Sequence, residues 1–242
     1  MHGFRFTATA LILALAAAWT PAAAQVGHPP GSSPYRDIVP GMSVTALYGS
    51  VGGGGGVIGV GPHHGSSYGV RFDIRAGTPV QFGFALGYAD LERLIVSAAD
   101  SVAKRVSGPV SQNVVMIETA IQLNLTGKKS WNHLAPYLAG SIGVAVGSGL
   151  PAGHPDSSGY KFGTKIYLAP TAGVRVMLGN SIQVRLEIRD LLWKLSYPSS
   201  YNVEPAAQPS SDPTKPNSVL KGGSLTEWTG NREFRVGLGF GF

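Results

Sequence analysis

The chain has 242 residues, of which 13% are charged, 34 are glycine and none is cysteine, and its formal net charge is +6. A charged fraction well below the roughly 25% of soluble domains argues against an ordinary soluble domain, and the absence of cysteine excludes disulfide bonds. The basic residues form no cluster interleaved with aromatic residues, so the charge does not indicate nucleic-acid binding and favours attraction to anionic lipid headgroups.

The first residues are predicted to direct export. Residues 1–24 have the pattern of a secretory signal peptide that is removed, with an apolar core at residues 8–18 and a small-residue cleavage site at residues 22–24. Residues 25–40 are rich in proline, glycine and serine and show no period, which predicts a flexible N-terminal segment. No later run approaches about 18 apolar residues, so no transmembrane helix is expected.

From residue 41 to residue 242 the sequence alternates between apolar residues and polar or small residues. Because successive side chains of a strand point to opposite faces, this alternation predicts half-buried β-strands joined by connections that are alternately long and short. The predicted strands lie at about residues 41–51, 67–76, 80–96, 113–125, 134–147, 161–178, 182–196 and 231–242.

The seventh predicted strand has the clearest alternation and then loses it. Polar residues alternate with apolar ones up to Ile188, but Asp190 falls on the apolar side and Trp193 on the polar side. A β-bulge would restore the phase, so we predict a bulge that places Arg189 and Asp190 both on the inner face.

In the final segment one face is apolar and the other carries polar or glycine residues, and the segment ends in an aromatic residue. It resembles the C-terminal assembly signal of outer-membrane β-barrel proteins through Arg235, Gly237, Phe240 and Phe242. The resemblance implies that the barrel assembly machinery reads these four residues.

With this signal and the eight alternating segments, residues 41–242 resemble the small outer-membrane β-barrel proteins of the OmpA and OmpX kind. The resemblance implies an all-β, eight-stranded antiparallel up-and-down transmembrane barrel with short periplasmic turns and long outer loops. It also implies a monomer in the outer membrane, exported by its signal peptide and in contact with lipid and lipopolysaccharide. A soluble lipocalin-like barrel also alternates, but the polar face here is expected to hold too few large apolar side chains to pack a soluble core.

Charged residues recur on the polar face and are expected inside the barrel. An eight-stranded barrel is just wide enough for its side chains, so these charges are expected to form ion pairs that plug the lumen. The predicted network comprises Arg71, Asp73, Arg75, Glu118, Arg175, Arg185, Glu187, Arg189, Asp190, Glu233 and Arg235.

The expected function is structural: a rigid surface protein whose loops serve membrane integrity, adhesion or defence. An excess of basic over acidic residues among the inward charges keeps a small, anion-favouring channel open as an alternative. A lipid A-modifying enzyme is a third, because some eight-stranded outer-membrane barrels modify lipid A.

A Ser-His-Asp set can be drawn in the predicted outer loops, but no spacing motif supports it, and we predict no catalytic residue. The adjacent histidines 63 and 64 lack the further ligands of a metal site, and no cofactor is expected. The candidate set is Ser66, Ser67, His63, His64, His154 and Asp156.

Overall fold

The computed structural model describes residues 33–149, 156, 158–212 and 214–242. Contacts divide the chain into a unit that ends at Tyr35 and a second unit from Arg36 to Phe242, and the fold below is that of the second unit. The predicted signal peptide and His154 lie outside the described residues. Among the residues that are described, no helix is long and apolar enough to cross a membrane.

Eight long antiparallel strands close into a barrel, in which each strand pairs with its neighbours in sequence and the last strand pairs with the first. This confirms the predicted eight-stranded antiparallel up-and-down barrel. Besides the eight, β1 and β6 are strands of three residues each. The strands are β1 (Tyr35–Asp37), β2 (Met42–Gly53), β3 (Gly65–Gly77), β4 (Val80–Val96), β5 (Val106–Asn124), β6 (Lys129–Trp131), β7 (Leu134–Gly147), β8 (Thr164–Met177), β9 (Ile182–Ser196) and β10 (Thr226–Gly241).

The connections differ in length at the two ends of the barrel, as the alternation predicted. We call the two ends the turn end and the loop end. The turn end carries residues 78–79, 125–133 and 178–181, and the loop end carries residues 54–64, 97–105, 148–163 and 197–225. The first and last strands meet at the turn end, where Met42 and Phe242 exchange backbone hydrogen bonds of 3.0 and 2.9 Å.

Two strands are longer at the loop end than the sequence predicted. β5 begins at Val106 rather than near residue 113, because its pairing with β4 continues to Val96. β10 begins at Thr226 rather than at residue 231, because its pairing with β9 continues to Ser196.

The outer wall of the barrel is apolar over most of its height. Along β10 the outward residues from Phe234 to Phe240 are 45–62% exposed, whereas the residues between them face the interior. The other long strands present a similar arrangement, since most of their outward positions are valine, leucine, isoleucine, phenylalanine and tyrosine side chains.

The predicted bulge in β9 is wrong. β9 and β10 pair without a register shift, and β9 keeps strict alternation along its length. Asp190 therefore lies outside the barrel, 41% exposed, where it accepts a hydrogen bond of 3.2 Å from Nε of Arg232. The apolar residues change from the outward to the inward positions of β9 because the barrel interior itself becomes apolar there. Trp193 continues the inward face and is fully buried.

The barrel interior consequently has two regions. Near the loop end it holds an apolar core, so the expectation that the inner face lacks large apolar side chains is wrong for that part. The rest of the interior is polar and charged. The apolar core includes Val51, Val60, Leu91, Val96, Val114, Met116, Tyr160, Phe162, Tyr167, Leu191, Trp193, Leu195, Tyr197, Tyr201 and Val219.

Candidate functional site: the barrel lumen

The polar part of the lumen contains nine of the eleven charged residues predicted for it, and we call these nine the charged tier. Each is at most 7% exposed, so their charges must be offset by neighbours rather than by bulk water. The charged tier consists of Arg71, Asp73, Glu118, Arg175, Arg185, Glu187, Arg189, Glu233 and Arg235.

Glu118 and Arg189 form the closest two-point contact in the charged tier. Nη1 and Nη2 of Arg189 donate to the two carboxylate oxygens of Glu118 at 2.8 and 2.7 Å. Such fork-to-fork pairing is strong because two charge-assisted hydrogen bonds share one geometry. The hydroxyl of Tyr167 adds a third hydrogen bond to Glu118 at 2.6 Å.

Glu233 extends this cluster to the neighbouring strand. It lies 3.0 Å from Nε of Arg189 and accepts a hydrogen bond of 2.9 Å from Nε of Arg235. Ser67 on β3 donates to the same carboxylate. The inward side chains of β3, β9 and β10 thus meet on one acidic group across the lumen.

Arg185 organises the half of the charged tier nearer the turn end. Its Nη1 donates to Asp73 at 2.7 Å, and its Nε lies 2.8 Å from both Glu187 and the hydroxyl of Tyr137. Its guanidinium also lies over the Tyr137 ring, 4.8 Å from the ring centroid. Arg71 completes the cluster with a hydrogen bond of 2.8 Å from Nε to Asp73.

Two inward arginines differ from the rest. Arg175 is 3% exposed and donates to Asn124 at 2.9 Å, but it forms no ion pair within the described residues. Arg75 lies at the turn end, where its Nη2 donates to the carbonyl oxygens of Ile38 and Pro40 at 2.6 and 2.7 Å. Arg75 thus fastens the segment that precedes β2 across the mouth of the barrel.

Tyr137 and Tyr167 belong to the lumen cluster, although the sequence did not single them out. Tyr137 lies directly opposite Gly173, and Tyr167 lies directly opposite Gly143, on neighbouring strands. A Cβ atom on Gly173 would lie 2.4 Å from the Tyr137 hydroxyl, and one on Gly143 would lie 2.6 Å from the Tyr167 ring. These glycines therefore make room for the two rings. A tyrosine on one strand opposite a glycine on the next was the sequence feature that could have indicated these two positions.

At the loop end, hydrogen bonds tie the long loops to the apolar core. Arg93 is 2% exposed, donates to Asp156 at 2.6 Å and lies over the ring of Tyr160 at 5.4 Å. Partial burial raises the pKa of Asp156, but hydrogen bonds from Ser158 and Arg93 outweigh it and hold the pKa below the ordinary value of 3.8. Burial raises the pKa of Tyr160 far above its usual range.

Further contacts join loops that are distant in sequence. Glu227 accepts hydrogen bonds from Tyr197 and, at 2.7 Å, from the backbone of Val57. Arg105 donates to the carbonyl of Asn217 at 2.8 Å. The described parts of the loops at the loop end are therefore joined to one another by hydrogen bonds.

The residues considered for catalysis contact different partners and do not form one cluster. Ser67 points into the lumen and binds Glu233, whereas Asp156 binds Arg93 in the loops. His63 lies 2.8 Å from the carbonyl of Gly61, and its ring meets that of His64 edge to face at 4.9 Å. The described part of the chain has no group of three or more histidine, cysteine or acidic residues that could hold a metal ion.

No protein-family model and no curated protein sequence matches the chain. Among solved structures, it is similar to Neisserial surface protein A, at 15% identity over 84% of this chain and 97% of that chain, with a TM-score of 0.50. OprG from Pseudomonas aeruginosa is similar at 13% identity over 87% of this chain and 99% of that chain, with a TM-score of 0.46. The first likeness, together with the closed meander of strands, shows that this chain has the fold of the small eight-stranded outer-membrane β-barrels.

Proposed function

We propose that the protein is an integral outer-membrane barrel with a closed lumen, which displays its packed loops at the cell surface. One observation carries the proposal: the outer wall is apolar, whereas the buried charges lie inside. A wall of exposed valine, leucine and phenylalanine is costly in water and is the surface that lipid requires. In this orientation the turn end faces the periplasm and the loop end faces the exterior.

Membrane insertion is tested with two variants that each place an arginine on the outer face of β9, at different depths in the proposed bilayer. Leu186 points outward within the apolar stretch from Ile182 to Ile188, and Ser196 points outward at the loop end of β9. We expect Leu186→Arg to lower the free energy of unfolding in lipid vesicles by about 2–4 kcal/mol and Ser196→Arg to lower it by about 0–1 kcal/mol. Equal costs at the two depths would contradict the proposed position of the bilayer.

A closed lumen is favoured over a channel because ion pairs between strands that are not neighbours in the barrel span it. The hydrogen bonds from Arg189 to Glu118 and from Arg185 to Asp73 join side chains more than 70 residues apart in sequence. We expect the protein to show no steady conductance in a planar bilayer. Steady, anion-selective conductance would replace this proposal with the channel alternative.

The proposed role is surface display for membrane integrity, adhesion or defence, and we propose no enzymatic activity. The packed loops support this role because they present a defined surface. Cells that express the protein should differ from cells without it in detergent sensitivity or in attachment to host surfaces, while their lipid A stays unchanged in mass. A change in lipid A mass would favour the enzyme alternative.

We also propose that the barrel assembly machinery reads Arg235, Gly237, Phe240 and Phe242. Deleting Phe242 should block membrane assembly without blocking export, whereas Phe242→Tyr, which keeps an aromatic residue, should assemble. Normal yields of folded barrel after the deletion would contradict this role.

A further inference from the structure

The charged tier holds one more arginine than carboxylates, and one of its arginines forms no ion pair with an acidic side chain within the described residues. It contains five arginines and four carboxylates, all buried. Every arginine except Arg175 takes part in an ion pair within the described residues. Arginine cannot lose its proton to escape burial, so Arg175 stays a cation.

Arg175 also lines a small cavity between the charged tier and the turn end. The cavity has a volume of about 10 Å³, and Nε of Arg175 is buried without a hydrogen-bond partner in the described part of the chain. Leaving a buried charge without a counter-charge is strongly destabilising, so a partner at this position would stabilise the fold.

The other polar groups of the cavity include free hydrogen-bonding side chains. Ser43 and Gln183 line it, are 7% and 2% exposed, and form no side-chain hydrogen bond within the described part of the chain. Gln81 lines it and accepts a hydrogen bond of 3.0 Å from Gln122 through its oxygen, which leaves its amide nitrogen to donate. Hydroxyl and amide groups next to a guanidinium are suitable donors for an anion.

Asp73 is the acidic residue of the cavity lining, and its carboxylate already pairs with two other arginines. Its two carboxylate oxygens accept hydrogen bonds of 2.8 Å from Arg71 and 2.7 Å from Arg185. Asp73 is therefore shared between Arg71 and Arg185, and it forms no ion pair with Arg175 within the described residues.

We propose that this cavity binds one small monovalent anion of the halide class, held by Arg175 with Ser43, Gln81 and Gln183. The volume is that of about one small particle, which favours a single-atom anion over an organic acid. Ile38 and Pro40 also line the cavity, so the segment that Arg75 fastens separates the anion from bulk solvent. The anion acts as the missing counter-charge of the lumen.

The first test measures thermal unfolding of the folded protein in zwitterionic lipid vesicles, with sodium bromide replacing sodium gluconate at constant ionic strength. A ligand that binds only the folded state shifts the unfolding equilibrium by a factor of one plus its concentration over its Kd. We therefore expect the melting temperature to rise with bromide or chloride along a single-site curve and to stay unchanged with gluconate. An equal melting temperature in all three salts would overturn the proposal and leave water in the cavity.

Two variants test whether the halide-dependent rise in melting temperature comes from the Arg175 cavity. Arg175→Gln should abolish the halide response, whereas Arg232→Gln, which removes an arginine from the outer wall, should keep it. A full response in Arg175→Gln would overturn the assignment. If Arg175→Gln does not fold, crystals of the unaltered protein grown in bromide decide: an anomalous peak beside Nε of Arg175 supports the site, and its absence overturns it.

Discussion

The charged tier and the apolar core are formed by the same strands, but different interactions stabilise them. Along the inward face of β9, Arg185 and Arg189 belong to the charged tier, and Leu191 and Trp193, farther along the same face, belong to the apolar core. Charged groups are stable in the interior only when each has its partner, whereas apolar groups need matching volume. The comparison shows that one strand face can pass from one kind of packing to the other without any break in its geometry.

The largest expected effect is the loss of one partner in the charged tier. Glu118→Gln replaces one of the two acidic partners of Arg189 by a neutral amide and weakens the two-point contact. We expect the free energy of unfolding in lipid vesicles to fall by about 3–5 kcal/mol. Urea unfolding followed by tryptophan fluorescence measures it, and a loss below about 1 kcal/mol would show that the charged tier does not depend on complete pairing.

In the apolar core, volume should matter instead of pairing. Leu191 is fully buried, so Leu191→Ala should lower the free energy of unfolding by about 2–5 kcal/mol through the cavity it leaves. The adjacent Leu192 points outward and is only partly buried, which makes Leu192→Ala the matched control with a smaller cost. Equal losses in the same urea experiment would mean that the inside and outside of β9 are exchanged.

An ion pair outside the barrel should contribute little. Asp190 and Arg232 are 41% and 49% exposed, and their contact is 3.2 Å. We expect Asp190→Asn to change the free energy of unfolding by about 0.2–1 kcal/mol, because exposed pairs gain little over water. A cost similar to that of Glu118→Gln would contradict the distinction between buried and exposed charges.

The smallest effect concerns pH and the loops. The pKa of Asp156 is lowered in the folded protein, so its stabilising contact with Arg93 is fully present above the ordinary value of 3.8 and is lost as pH falls through the lower folded value. Amide hydrogen exchange of the loop end should therefore accelerate at pH below 3.8, while exchange in the mid-barrel strands stays slow. Asp156→Asn should remove this step, and an unchanged step would assign it to another carboxylate.

Alternation alone predicted the number of strands and the faces of most residues, because a two-residue period is a local property. The up-and-down order of the strands was implied by the resemblance to small outer-membrane barrels. It failed at Asp190, since a change from a polar to an apolar interior looks in sequence like a change of phase. The partners across the lumen could not be predicted, because the contact of Arg185 with Asp73 depends on how eight strands are staggered around the barrel. The cluster of Arg93, Tyr160 and Asp156 could not be predicted either, because loops carry no period.

The packed loops have a consequence for engineering this surface. Tyr201 is fully buried in the apolar core, whereas Ala206 and Ala207, in the same loop, are exposed. We expect a foreign peptide inserted between Ala206 and Ala207 to leave the apolar core intact, and one inserted at Tyr201 to displace the loop. If the loop end faces the exterior, as we propose, this exposed segment offers a position at which the barrel can display a foreign peptide.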